Sequence, residues 1–147
     1  MKTFEEVRRT LRTRPGVVTG KGVSEAAIRA AEKSLGNVIR GGYRLFLLEF
    51  GWGGSGDEVL FGLGKGVPRH LELVATASRE RTEMVPRLRS DLVPLMNDGA
   101  GNLFCIDGSH RAPAEPTIVL WDHEFDEDQV PYEYGTDFCS WFLERLA

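Results

Sequence analysis

The residues through which this chain could do chemistry are three histidines, two cysteines and a dense run of carboxylates. His70, His110, His123, Cys105 and Cys139 are the candidates for metal ligation or nucleophilic catalysis, yet none stands beside another at the close spacings that zinc sites use. No GxSxG elbow and no HExxH helix supports an activated nucleophile or a metal-bound water. The segment Gly51-x-Gly53-x-x-Gly56 matches the dinucleotide fingerprint letter by letter, but that motif works between a strand and a helix, where the helix N-terminus meets the pyrophosphate. Here the order is reversed, with the helix-patterned YRLFLLEF before it and the strand-like EVLFG after it. Lys21 and Lys65 are each followed by glycine, so no phosphate loop of the GK[ST] kind exists. Asp122, Glu124, Asp126, Asp128 and Glu133 fall at the oxygen-ligand positions of a calcium-loop template. Glu127 occupies the place where that template needs glycine, a strand-like segment replaces the entering helix, and Pro131 stiffens the exit. The expectation is a chain without catalytic residues, metal or cofactor.

What remains is charge. The stretch WDHEFDEDQVPYEYGTD, residues 121–137, holds seven carboxylates, two tyrosines, a phenylalanine and a tryptophan, and no Lys or Arg occurs between Ala112 and Glu144. Residues 112–147 carry one base, Arg145, against nine acids, whereas residues 1–45 carry ten Lys or Arg against four Asp or Glu. Most charge runs are solvated faces. Carboxylates set among aromatic groups can also supply an interface with anchors and a rim, and they speed encounter with a basic partner. The N-terminal bases Arg8, Arg9, Arg12, Arg14 and Lys21 lack interleaved aromatics for base stacking, and the whole chain is acidic at −4, which argues against direct nucleic-acid binding.

The elements that must position these residues follow from apolar spacing. Phe4, Val7 and Leu11 predict a helix over 3–13, ended by Pro15-Gly16, with a glycine-bearing link to residue 22. Ser24 is the expected N-cap of a helix whose inner face is Ile28, Ala31 and Leu35 and whose stop is Gly36. Tyr43, Phe46, Leu47 and Phe50 mark an aromatic-faced helix, followed by a flexible loop GWGGSGD and a short strand EVLFGLG. Pro68 is expected in the first turn of a further helix with Leu71, Val74 and Ala75 inward. LVPLMN and NLFCID flank the turn DGAG as a hairpin, TIVLWDH reads as a central strand, and a closing helix capped by Thr136 carries Phe138, Trp141, Phe142 and Leu146. Helices at both ends and strands between imply an α+β fold, a mainly antiparallel sheet packed against helices, in a chain whose 147 residues suffice for one core. The division expected is an N-terminal helix and linker over 1–19 and a domain over 20–147. No run of 18 apolar residues exists, and MKTFEEVRRTLRTR is unlike a signal peptide, so the expected compartment is the cytoplasm. Cys105 and Cys139 sit in apolar stretches, as free buried thiols do in a reducing compartment.

Taken in order, these pieces resemble the SUKH superfamily, which includes the yeast cell-wall synthesis regulator and many bacterial toxin-immunity proteins. The matching segments run from about residue 20 to 146: VSEAAIRAAEKSLG, the "Y-x-x-F-L … G-G" helix and loop in GGYRLFLLEFGWGG, VLFGL, the "P-x-x-x-x-G-x-G-x-x-x-x-x-D" hairpin in LVPLMNDGAGNLFCID, TIVLWDHE, and the "S/T-x-F-x-x-F/W-L" helix in TDFCSWFLERL. One departure is Ile39-Arg40 where the family carries Leu-Pro, which implies a looser entry to the aromatic helix, with Gly41-Gly42 as an alternative route through the turn. The resemblance implies an α+β fold without cofactor or catalytic residues and, for a bacterial member, an immunity protein that binds and neutralises a cognate polymorphic or contact-dependent toxin. The alternative is a non-catalytic adaptor or regulatory scaffold for endogenous proteins, and after it a small-ligand binder, which would need a concave pocket of converging polar groups. The residues expected to face the partner are Trp52, Glu124, Asp126, Glu127, Asp128 and Glu133, opposite a basic or nucleic-acid-targeting toxin, where the carboxylates would mimic the phosphate charge that a basic cleft binds. Neither a membrane nor nucleic acid is an expected partner, and a homodimer is left open.

Overall fold

The computed structural model describes residues 1–147, and its first element shows how local chemistry sets a boundary. The Thr3 hydroxyl accepts the Glu6 amide while the Glu6 carboxylate accepts the Thr3 amide at 2.7 Å, a reciprocal cap that starts α1, Phe4–Thr13. The helix α2, Glu25–Leu35, begins where the Ser24 hydroxyl accepts the Ala27 amide and ends at Gly36, left-handed at φ 73°. Three more helices follow: α3, Gly42–Glu49; α4, Leu73–Thr82; and α5, Phe138–Leu146. Strands β1, Val17–Thr19, β2, Gly53–Ser55, and β3, Glu58–Leu60, form one antiparallel sheet in that order. Strands β4, Leu92–Asn97, β5, Leu103–Asp107, β6, Ile118–Trp121, and β7, Tyr132–Gly135, form a second, also antiparallel and in chain order. The Phe61 amide donates to the Leu95 carbonyl at 2.8 Å, so the chain leaving β3 runs along the outer edge of β4 and joins the sheets. The fold is α+β, a single domain with helices at both termini.

One core unites the elements. Val7 and Leu11 of α1 belong to the same buried cluster as the aromatic side chains of α3 and α5. Tyr43 and Phe138 lie 5.7 Å apart and Phe46 and Phe142 5.9 Å apart, distances at which aromatic pairs add to plain area burial. The helices approach this closely because residue 42 is glycine: a Cβ there would stand 2.8 Å from Phe138 Cδ1 and 2.9 Å from Cys139 Sγ. The Tyr43 hydroxyl, fully buried, donates to the Phe61 carbonyl at 2.7 Å, which removes the cost of an unpaired polar group. Phe104 of β5 meets Trp141 of α5 at 5.2 Å and ties the second sheet to the closing helix. Near β4, the Arg81 guanidinium donates to the carbonyls of Leu35 and Leu92 and to Asn37, and so fastens the end of α2 to the sheet.

Several expectations are corrected. No helix begins at Pro68; Arg69–Leu71 is a 3-10 turn and α4 starts at Leu73. The Glu72 carboxylate accepts the amides of Val74 and Ala75 at 3.1 and 2.7 Å and is the stronger start signal. Moving the start turns the buried face to Leu73, Thr76 and Ala77, leaving Val74 half-buried and Ala75 exposed. The last helix is capped by Asp137, whose carboxylate accepts the Ser140 amide at 2.9 Å, and Thr136 lies outside it. The glycine-bearing link and the GWGGSGD loop supply β1 and β2, because pairing across Val18 and Gly54 is carried by backbone atoms that the side-chain pattern does not reveal. The entry to α3 is tied rather than loose. Arg40 donates to the Ala112 carbonyl at 2.7 Å, Ile39 is buried, and Gly41 turns the chain at φ 72°, a conformation that suits glycine. The Glu115 carboxylate then accepts the first amides of two helices, Gly42 at 3.0 Å and Phe138 at 3.4 Å.

Candidate protein-binding surface

The acidic stretch is a shaped surface. Between β6 and β7 the chain turns back on itself, and Gln129 holds the turn: its Oε1 accepts the Asp122 amide at 3.0 Å, while its Nε2 donates to the carbonyls of Asp122 and Asp126 at 2.8 and 3.1 Å. Asp122 uses a carboxylate oxygen to accept the Glu124 amide at 2.8 Å. The hairpin turn between β4 and β5 braces the loop from one side. His123 Nδ1 lies 2.6 Å from Asn102 Oδ1, and Asn102 Nδ2 donates to Asp98 at 2.9 Å. Burial raises the Asp98 carboxyl, but the amides of Ala100 and Asn102, the Asn102 side chain and nearby His123 outweigh it and hold the group below its ordinary value. From another side the Glu127 carboxylate accepts the Arg87 amide at 3.1 Å, with the Arg87 guanidinium 3.8 Å away.

This framework sorts the seven carboxylates. Asp137 is buried as the α5 cap and Asp122 is half-buried in the turn, whereas Glu124, Asp126, Glu127, Asp128 and Glu133 are all exposed. Glu124, Asp126, Glu127 and Asp128 share the loop. Glu133 sits in β7 opposite Val119, and side chains alternate along a strand, so it faces away from Tyr132 and lines a groove of about 260 Å³ with Val119, Val130 and Pro131. Trp121, the one tryptophan of the stretch, belongs to the core. Trp52 is not brought into the acidic loop: it stands before β2 in the other sheet and lines a concavity with Lys21 and Lys65 and no acid.

The sequence pattern did not reveal which aromatic side chains are free. Phe125 is 62% exposed, Val130 91%, Tyr132 69% and Tyr134 49%. Tyr134 lies edge-on to buried Phe104 at 4.9 Å and Tyr132 stands 6.2 Å from Tyr134, so the core extends outward as a short aromatic ridge on the α5 side of the sheet. Alternation in YEYG was the available signal; the acids around it masked it. An apolar ridge beside exposed carboxylates is the composition of a contact surface with anchors and a charged rim.

The groups that could do chemistry are placed apart. The three histidines lie in the 3-10 turn, after β5 and after β6, and no three His, Cys, Asp or Glu side chains converge as metal ligands would. Both thiols are buried and unpaired; burial pushes Cys139 up to about 12 and Cys105 further in the same direction. No helix is long and apolar enough to cross a membrane. Comparison with curated proteins finds no match to the chain. A family model described as SMI1-KNR4 cell-wall matches residues 3–147, from the start of α1 to the end of α5, and the chain belongs to that family, SUKH_5.

Proposed function

We propose that the chain is an immunity protein that binds and neutralises a cognate polymorphic or contact-dependent toxin by direct contact, without chemistry of its own. The observation that carries this reading is the exposed ridge of Tyr132 and Tyr134 in β7 together with the exposed Phe125, Glu124, Asp126, Glu127 and Asp128 of the loop leading into it, in a chain of the SUKH_5 family. A toxin that acts on nucleic acid presents a basic cleft, and a fixed set of carboxylates imitates the charge of the phosphates it binds. Thiols kept protonated by burial, and a His123 ring engaged with Asn102, support a role in which these groups are structural.

The test is co-expression with the toxic C-terminal domain encoded by the neighbouring open reading frame, read by growth and by co-purification. Restored growth and a stable complex are expected. Unrelieved toxicity with no complex at micromolar concentration overturns the reading for that pair. Reversal of Glu124, Asp126, Glu127 and Asp128 to Lys should slow association and flatten its salt dependence; binding that survives with its salt dependence unchanged means that the acidic face is only solvated. The cell-wall wording of the family description favours a second reading, an adaptor for endogenous proteins, and a growth or envelope defect on deletion of this gene alone would support it.

A further inference from the structure

Of the two edges of the larger sheet, that of β7 is the open one. The outer edge of β4 is covered by the chain leaving β3, through the Phe61–Leu95 bond. β7 is the terminal strand of its sheet, and outside its pairing with β6 no backbone hydrogen bond reaches residues 130–136. Its outward amides and carbonyls are therefore a template for one more strand. Edges of this kind are usually blunted, and β7 is partly so, because the register shift opposite Ile118 and Val119 bulges the strand at Tyr134 and keeps the receiving run short.

We propose that the β7 edge takes up a short extended segment of the protein partner as an added strand, and that this segment alternates apolar residues with Lys or Arg. The inference rests on the partner-binding reading above and supplies its mode. The two faces of β7 set the alternation. On the α5 side an incoming strand meets Tyr132 and Tyr134, which are exposed and apolar; on the other side it meets Glu133 and the groove with Val130 and Pro131. Arg89 lines that groove too, but its guanidinium is engaged with Asp91 at 2.6 Å, and Asp107 adds a second carboxylate to the lining. Charge selects the occupant. A second copy of this chain, pairing through β7, would bring two copies of Glu133 and two acidic loops together, and like charges across a strand pair destabilise it. A basic segment instead gains from Glu133 and from Glu124, Asp126 and Asp128 nearby in the chain, while its backbone completes the sheet.

The probe is the peptide acetyl-(Lys-Val)3-amide, titrated into the full-length chain and followed by amide chemical shifts and amide hydrogen exchange. The expected result is saturable binding, with slowed exchange confined to residues 130–135. A second peptide, methylated on alternate backbone nitrogens, keeps every charge and side chain but cannot pair along one edge; it should bind roughly tenfold more weakly or worse. Equal binding of the two peptides overturns strand addition and leaves the acidic face acting through side chains alone. Absence of saturable binding at millimolar peptide, or protection elsewhere in the chain, also overturns it. Dimerisation of the chain through β7, seen by sedimentation with the same amides protected, would show that the occupant is a second copy. None of these outcomes decides the immunity reading, which stands or falls on rescue of growth, so the two failures are distinguishable.

Discussion

Gln129 is the place to test whether the acidic face is built or merely solvated. Replacing it with Ala removes one acceptor and two donors, the bonds to the Asp122 amide at 3.0 Å and to the Asp122 and Asp126 carbonyls at 2.8 and 3.1 Å. A net intramolecular bond is worth about 0.5–1.5 kcal/mol, and groups in an exposed loop recover part of it from water, so the expected loss is about 1–2 kcal/mol. Phe125 and its acidic neighbours lie outside the core cluster, so that loss should appear as local opening of the loop, with only a small change in global unfolding. In the Gln129→Ala variant the Asp122 amide should exchange roughly 5- to 30-fold faster, the factor that corresponds to one or two kcal/mol. Amides of β5 should exchange as in the parent. A change below about twofold at Asp122 would refute the idea that one side chain shapes the face. A global loss well above 2 kcal/mol would refute the separation of face from core.

Three further predictions concern the frame. Burial holds both thiols protonated, so the native chain should be inert to dithiobis(nitrobenzoate) at about pH 8 and should release two equivalents only in denaturant; fast native reaction at either cysteine contradicts the packing around α5 and β5. The Arg8 hydrogen bond at 2.6 Å holds the Glu49 carboxyl below its ordinary value near 4.5, so this pair's contribution is full above that pH and is lost as pH falls through the folded value. Urea midpoints of Glu49→Gln should therefore fall less steeply with acid than those of the parent, and parallel slopes would remove Arg8–Glu49 as the tie between α1 and α3. Glu115 has the opposite sign: burial raises its carboxyl despite the amides of Gly42 and Phe138, so its folded form favours the proton and the parent loses stability as pH rises from the ordinary glutamate value through the folded one. Glu115→Gln should lack that loss and approach the parent in stability near neutrality, whereas Glu115→Ala, which leaves both helix amides without an acceptor, should unfold at lower urea.

How much of this was legible in the sequence depends on which atoms do the holding. Side-chain periodicity identified α1, α2, α3 and α5 because their inner faces are packed by side chains, as Val7 with Leu11 and Tyr43 with Phe46 show. Caps that use the commonest residues were legible too, and Ser24 and Gly36 stand where expected. Elements held by backbone atoms were not: β1 and β2 pair across glycines, and β7 hides among acids whose local pattern says loop. A carboxylate cap on a residue less favoured for that position shifted α4, since Glu72 outcompeted the Pro68 signal. In the surface, the exposed carboxylates were legible from charge alone. The bracing of their loop was not, because it is made by contacts distant in sequence, Glu127 with Arg87 and His123 with Asn102. The place of Trp52 was hidden for the same reason: nothing local shows that β2 lies in the other sheet.

The arrangement also explains how such a surface can be specific without endangering the fold. The aromatic core between α3 and α5 and the face around β7 are joined through buried Phe104, which touches Trp141 inward and Tyr134 outward. Beyond it β7 is held by its pairing with β6 and the loop before it by polar contacts, with Gln129, Asn102 and Arg87 as the fixed points. Side chains at Glu124, Phe125, Asp126, Asp128 and Glu133 can therefore change sign or size while the backbone that presents them stays in place, because exposed substitutions away from such fixed points usually move stability by about 0.5 kcal/mol or less. On the proposed binding mode, recognition depends on charge and on an edge strand whose backbone geometry is indifferent to sequence. A scaffold of this kind can be retuned to a new basic partner by altering the rim alone, whereas a partner without an extended segment would have to use Phe125, Tyr132 and Tyr134 as its whole contact and would leave the β7 edge open.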